Sequence, residues 1–146
     1  MLKTLTLAFT MLAASSQCRA QAVALSIVRL DCTAPLSPLF SPPASPQEKE
    51  QVSAEWVGAD ELAVEAWDDE TADSRVDPSS AKLHLDGTTL TLTYSHRPAV
   101  ADRRKPVAAC QSLIKLFFTV SGLARSRYQL QIEDGRKSVR RLAIDG

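Results

Sequence analysis

In several short runs between Val52 and Ile144 the apolar residues return at every second position, and no stretch holds the three-to-four spacing of a helix. Alternation of that kind puts successive side chains on opposite faces of a strand, so it demands sheets with one face buried. Val52, Ala54 and Trp56 share one face of a first run. Leu62, Val64 and Ala66 share one face of a second, against Ala63, Glu65 and Trp67, and Gly58-Ala59-Asp60 between them predicts a hairpin. Leu83 and Leu85, then Leu90, Leu92 and Tyr94, predict another hairpin around a type I′ turn at Asp86-Gly87, with Thr89, Thr91, Thr93 and Ser95 on the solvated side. The run from Cys110 to Val120 is the most apolar, with Cys110, Ile114, Leu116, Phe118 and Val120 of one parity. Tyr128, Leu130 and Ile132 lead to a second tight turn at Asp134-Gly135, and Val139, Leu142 and Ile144 close the chain as a last strand.

Val23 to Cys32 reads as a strand whose apolar side changes near Val28, which a bulge or burial on both faces would explain. Asp68 to Ser80 is polar, ends in Asp77-Pro78 and reads as a loop; Arg97 to Pro106 reads as a basic loop. Short strands with regular turn signals predict an all-β fold, an immunoglobulin-like or related antiparallel β-sandwich of about seven or eight strands. The stretch Phe117 to Ile132 (FFTVSGLARSRYQLQI) resembles the closing strands of transthyretin-like and immunoglobulin-like modules. The resemblance implies a fold and carries no function.

The chain opens as an export signal does. Lys3 gives a positive start, Leu5 to Ala14 is an apolar run of ten, and Ala20-Gln21-Ala22 is an A-x-A cleavage site. A membrane-spanning helix needs about 20 apolar residues, and no segment reaches that. Residues 1–22 are therefore expected to be removed, leaving 23–146 as a single domain, periplasmic or secreted. Cys18 would leave with the signal, since Ser15 and Gln17 before it do not suit a lipid-modified cysteine. Cys32 and Cys110 remain, and an even pair in an oxidising compartment is most simply a disulfide. Thr33 to Gln47 holds Pro35, Pro38, Pro42, Pro43 and Pro46, which rules out a helix or a central strand and predicts an extended crossover within the domain.

Seventeen basic and seventeen acidic residues balance, but not along the chain. Glu48 to Asp77 carries eleven acids against Lys49 and Arg75, and Arg97 to Arg141 carries eleven bases against Asp102, Glu133 and Asp134. Two outcomes fit: the segments interleave in the fold and neutralise one another, or the basic end is a partner surface built from Arg103, Arg104, Lys105, Arg136 and Lys137. There is no sustained basic stripe studded with aromatics, so nucleic acid is not an expected partner. Asp68, Asp69, Glu70 and Asp73 bring hard oxygens together as a calcium candidate, although without the spacing or the glycine of an EF-hand.

No nucleophile elbow or metal motif is present. Catalysis would have to draw on the acidic loop and His96, while His84, opposite Leu83 and Leu85, should face solvent. The expectation is an exported, non-enzymatic binding or accessory domain that needs no cofactor, with a protein or envelope component as partner. The alternatives are a small exported enzyme using the acidic loop and His96, and an inhibitor of a secreted hydrolase.

Overall fold

The computed structural model describes residues 20–30, 51–71, 73–99, 112–135 and 139–146. Cys32, the proline-rich stretch at 33–47 and Cys110 lie outside the described residues, as does the expected signal up to residue 19.

Eight strands are described: β1 (Ala22–Leu30), β2 (Val52–Trp56), β3 (Glu61–Glu70), β4 (Ser74–Asp86), β5 (Thr89–Pro98), β6 (Ser112–Ser121), β7 (Tyr128–Asp134) and β8 (Val139–Ile144). They form two four-stranded sheets, one in the order β1-β6-β3-β2 and the other β4-β5-β7-β8. The all-β sandwich architecture is thus the one the alternation demands. In a constant-type immunoglobulin domain the first strand shares its sheet with the second, fourth and fifth. Here it shares its sheet with the sixth, third and second, so that arrangement is not reproduced. Nor is the sandwich wholly antiparallel: β5 and β7 run parallel, because β6, which separates them in the chain, crosses in the opposite sheet.

Register explains the core. In the first sheet Leu25, Phe118, Val64 and Ala54 form one inward rung, and Ile27, Leu116, Ala66 and Val52 the next. In the second, Leu85, Leu90, Leu130 and Leu142 line up, followed by Leu83, Leu92 and Ile132. Leu62, Val64, Leu90, Leu92, Ile114, Leu116, Val120 and Leu130 are wholly buried between the sheets. The rings of Tyr94 and Phe118, one from each sheet, tilt together 5.9 Å apart. One end of the sandwich is closed by apolar groups. Leu123 plugs it from the β6–β7 connection, and Trp56 packs against Tyr128, whose hydroxyl donates to the Ala124 carbonyl at 2.7 Å.

Three local expectations need correction. β1 pairs with β6 from Ala22↔Ser121 to Leu30↔Leu113 without a shift, so Val28 marks no bulge; Val23, Leu25 and Ile27 share the inward side, and Val28 on the other face is half-buried. The tight turn of the β4–β5 hairpin consists of Gly87-Thr88, since Asp86 pairs with Thr89, and Gly87 takes the left-handed φ of +57°. The polar stretch from Asp68 to Ser80 is mostly strand: β3 runs on to Glu70 and β4 begins at Ser74. Its turn signal is real but sits inside β4, where the register jumps between Asp77 and Lys82. There Asp77 Oδ1 accepts from the Ser79 amide at 3.0 Å and the Ser79 hydroxyl at 2.7 Å, while Ser80 Oγ accepts from the Ser95 amide at 2.8 Å. Pro78 has no N–H to give, and an edge-strand bulge is where a sheet tolerates it.

Candidate functional site

The inward parity that builds the core continues past its apolar part at one end. On β3, Leu62, Val64 and Ala66 are followed by Asp68 and Glu70; on β5, Leu90 and Leu92 by Tyr94 and His96. On β7, Leu130 and Ile132 are followed by Asp134, and on β1, Leu25 and Ile27 by Arg29. β8 runs antiparallel to β7 and sets Arg140 opposite Ile132. Five strands from both sheets therefore change from apolar to polar at the same end; the carboxylates there are buried, while Arg29 reaches Glu70 from the exposed rim.

Two carboxylates organise the cluster. Glu70 is fully buried. It accepts from Arg29 Nε at 2.8 Å and Nη2 at 3.1 Å, from Arg75 Nη1 at 2.9 Å and from the Val76 amide at 2.8 Å. Burial opposes its ionisation, but the donors from Arg29, Val76 and Arg75 outweigh that and hold the carboxyl below its ordinary range. Asp68 accepts from the Tyr94 hydroxyl at 2.6 Å, and Arg140 Nη2 lies 3.8 Å from its other oxygen. Burial, followed by the charge and hydrogen bond of Asp68, raises the Tyr94 hydroxyl well above the ordinary phenol range, so it stays a donor. Arg140 also donates to the carbonyl of Trp67.

His96 stands apart. Its side chain is 8% exposed, Nε2 lies 3.4 Å from Asp68 Oδ2, and its ring tilts against Tyr94 at 5.8 Å. Among the described residues neither ring nitrogen has a hydrogen-bond partner. Two buried carboxylates, Asp68 and Glu70, thus meet Arg29, Arg75 and Arg140 beside a histidine and a tyrosine, and a third buried carboxylate, Asp134, stands opposite Tyr94 on β7.

The four acids that suggested calcium do not converge. Asp68 and Glu70 point inward, Asp69 takes the opposite parity, and Asp73 is exposed. Among the described residues no three His, Cys, Asp or Glu side chains are arranged to hold a metal ion. Of the residues proposed for a basic partner surface, Arg103, Arg104, Lys105, Arg136 and Lys137 all lie outside the described residues. His84 is exposed, as its parity requires. Sequence reasoning picked out Asp68, Glu70 and His96 but missed Tyr94, Asp134, Arg29, Arg75 and Arg140. The signal that would have found most of them is the unbroken parity from an apolar run into polar residues.

The acidic and basic segments do interleave where they are described. Lys115 Nζ lies 2.6 Å from Glu65 Oε2 and above the rings of Trp67 and Phe117, at 5.5 Å and 5.1 Å. Arg127 approaches Asp145 at 3.5 Å at the exposed far end. No helix among the described residues is long and apolar enough to cross a membrane. No protein-family model, curated protein or solved structure matches the chain.

Proposed function

We propose that the chain is an exported, non-enzymatic binding or accessory domain whose partner is a protein or a component of the cell envelope. Export rests on the Lys3, Leu5–Ala14 and Ala20-Gln21-Ala22 pattern, and the expected Cys32–Cys110 bridge suits the same compartment. The observation that carries the reading is the direction of the polar cluster. The carboxylates a catalytic site would offer to a substrate are turned into the sandwich, where Glu70 is paired with Arg29 and Arg75 from the rim and Asp68 lies near Arg140. Recognition then belongs to the outside of the domain, and the basic residues Arg103, Arg104, Lys105, Arg136 and Lys137 are its proposed contacts. Affinity capture with the mature chain from an envelope extract tests this. The expected result is a specific partner whose retention falls when Arg103, Arg104 and Lys105 are reversed to Glu and when salt is raised. Equal retention by wild type and the triple variant at low salt would remove the basic contact from the account.

The second reading, a small exported enzyme, has one observation in its favour: Asp68 and His96 lie 3.4 Å apart, an acid beside an imidazole as general acid–base chemistry uses them. Hydrolysis of ester or glycoside substrates that is lost in His96→Gln, with the fold retained, would establish that reading over the first.

A further inference from the structure

Beyond Tyr94, β5 loses its partner β7, because the parallel ladder ends at Tyr94↔Asp134. Beyond the bulge, the first part of β4 is likewise separated from the rest of its strand. Apart from a bridge between Ser74 and Thr71, Ser74–Asp77 and Ser95–Pro98 therefore pair only with each other among the described residues, through Ser74↔Pro98, Arg75↔Arg97, Val76↔His96 and Asp77↔Ser95. This two-stranded ribbon extends the second sheet over the polar end of the first, and the Ala99 amide closes it on the Asp73 carbonyl at 2.9 Å.

The hydrogen bonds and ion pairs that join it to the first sheet centre on two carboxylates of β3. Glu70 holds Arg75 and the Val76 amide, and Asp68 lies beside His96. Val76 is the one fully buried apolar side chain the ribbon contributes. On its inner side the ribbon's own His96, whose ring nitrogens have no hydrogen-bond partner among the described residues, faces the Asp68 carboxylate of β3. Separation there exposes little apolar surface and gives those nitrogens water, whereas separation anywhere along the apolar rungs exposes leucines. Regions that open locally have few apolar contacts and polar groups that solvent can satisfy.

We propose that this ribbon is a strap, latched through Glu70 and pivoting at the Asp77–Ala81 bulge, that separates from the first sheet as a unit and admits solvent or a small polar ligand to the Asp68–His96 pair. The short link from Thr71 to Ser74 ties the far end of the ribbon to β3, so the movement is a limited parting and not a swing. The device is independent of what the domain binds.

Native-state hydrogen exchange by NMR tests it on the whole mature chain. In wild type, the Val76 amide and the amides of the ribbon ladder should exchange through one shared opening, well below the protection of Val64, Leu116 and Phe118. Glu70→Gln keeps the shape but removes the charge, and should speed exchange in the ribbon by about tenfold or more while leaving Leu116 and Phe118 within about twofold. Ribbon amides as protected as Phe118, ribbon amides that open independently of one another, or a Glu70→Gln effect spread equally over the sandwich would each overturn the strap. The wild-type measurement stands even if the variant does not fold.

Discussion

Removing one hydroxyl from each end of the sandwich should have unequal consequences. Tyr94 and Tyr128 are both buried, 3% and 7% exposed, and each donates one short hydrogen bond, at 2.6 Å and 2.7 Å. Their acceptors differ. Tyr94 donates to the buried Asp68 carboxylate, and Tyr128 to the neutral carbonyl of Ala124, an exposed residue. In Tyr94→Phe the buried carboxylate loses its 2.6 Å donor where water does not readily replace it. A bond to a charged group is worth about 1.5–3 kcal/mol, and that is the expected loss. In Tyr128→Phe the carbonyl can turn to water, and the loss should be nearer ~0.5–1 kcal/mol. Urea denaturation followed by tryptophan fluorescence reads both, with an unchanged m-value showing that the same surface is exposed on unfolding. If Tyr128→Phe costs as much as Tyr94→Phe, the Asp68 carboxylate does not depend on its tyrosine donor as its burial requires.

Stability should fall in acid through Glu70. Its folded pKa is depressed, so its contribution is fully present above the unfolded value of 4.5 and is lost as pH drops through the lower folded value. The urea midpoint of wild type should be steady from neutrality to about pH 5 and fall below that, while Glu70→Gln should lose part of that slope; an identical pH profile in the variant would show that Glu70 is not responsible. Phe118→Ala, which removes a ring 1% exposed between Leu25 and Val64, should cost about 3–5 kcal/mol. Val57→Ser at a position 64% exposed should stay within about 0.5 kcal/mol, and a comparable cost at both positions would contradict the assigned parity. Gly87→Ala should cost about 1 kcal/mol from its left-handed φ alone, as no atom lies within 4 Å of the added Cβ; a neutral result by thermal melting would refute the turn conformation.

How far the sequence could be read depends on the range of the interaction. The β2–β3 and β4–β5 hairpins follow from alternation and short turns, both local. The inward sets of β3, β5, β6 and β7 follow from parity and need no knowledge of partners. That β6 lies between β1 and β3, and that β5 meets β7 in parallel, depends on pairings between distant segments, for which local patterns carry no signal. Asp68 to Ser80 misled because polar residues beside a proline look like a loop. Polarity there instead reflects a core that turns ionic at one end, where Glu70 is matched by Arg29, 41 residues away in sequence, and Asp68 by Arg140 from the last strand. No single strand shows that its buried carboxylate will find a guanidinium on another.

The central claim is that the ribbon's His96 is turned inward and closed against Asp68 of the first sheet, and the protein contains its own control. It has two histidines, His84 on the solvated face of β4 and His96 within the cluster. Native protein treated with diethylpyrocarbonate, sampled over time and analysed by peptide mass spectrometry, should show His84 modified at the rate of a free imidazole. His96 should be slower by about tenfold or more, since its reaction waits on local opening. Equal rates at the two histidines in folded protein would contradict the enclosed cluster.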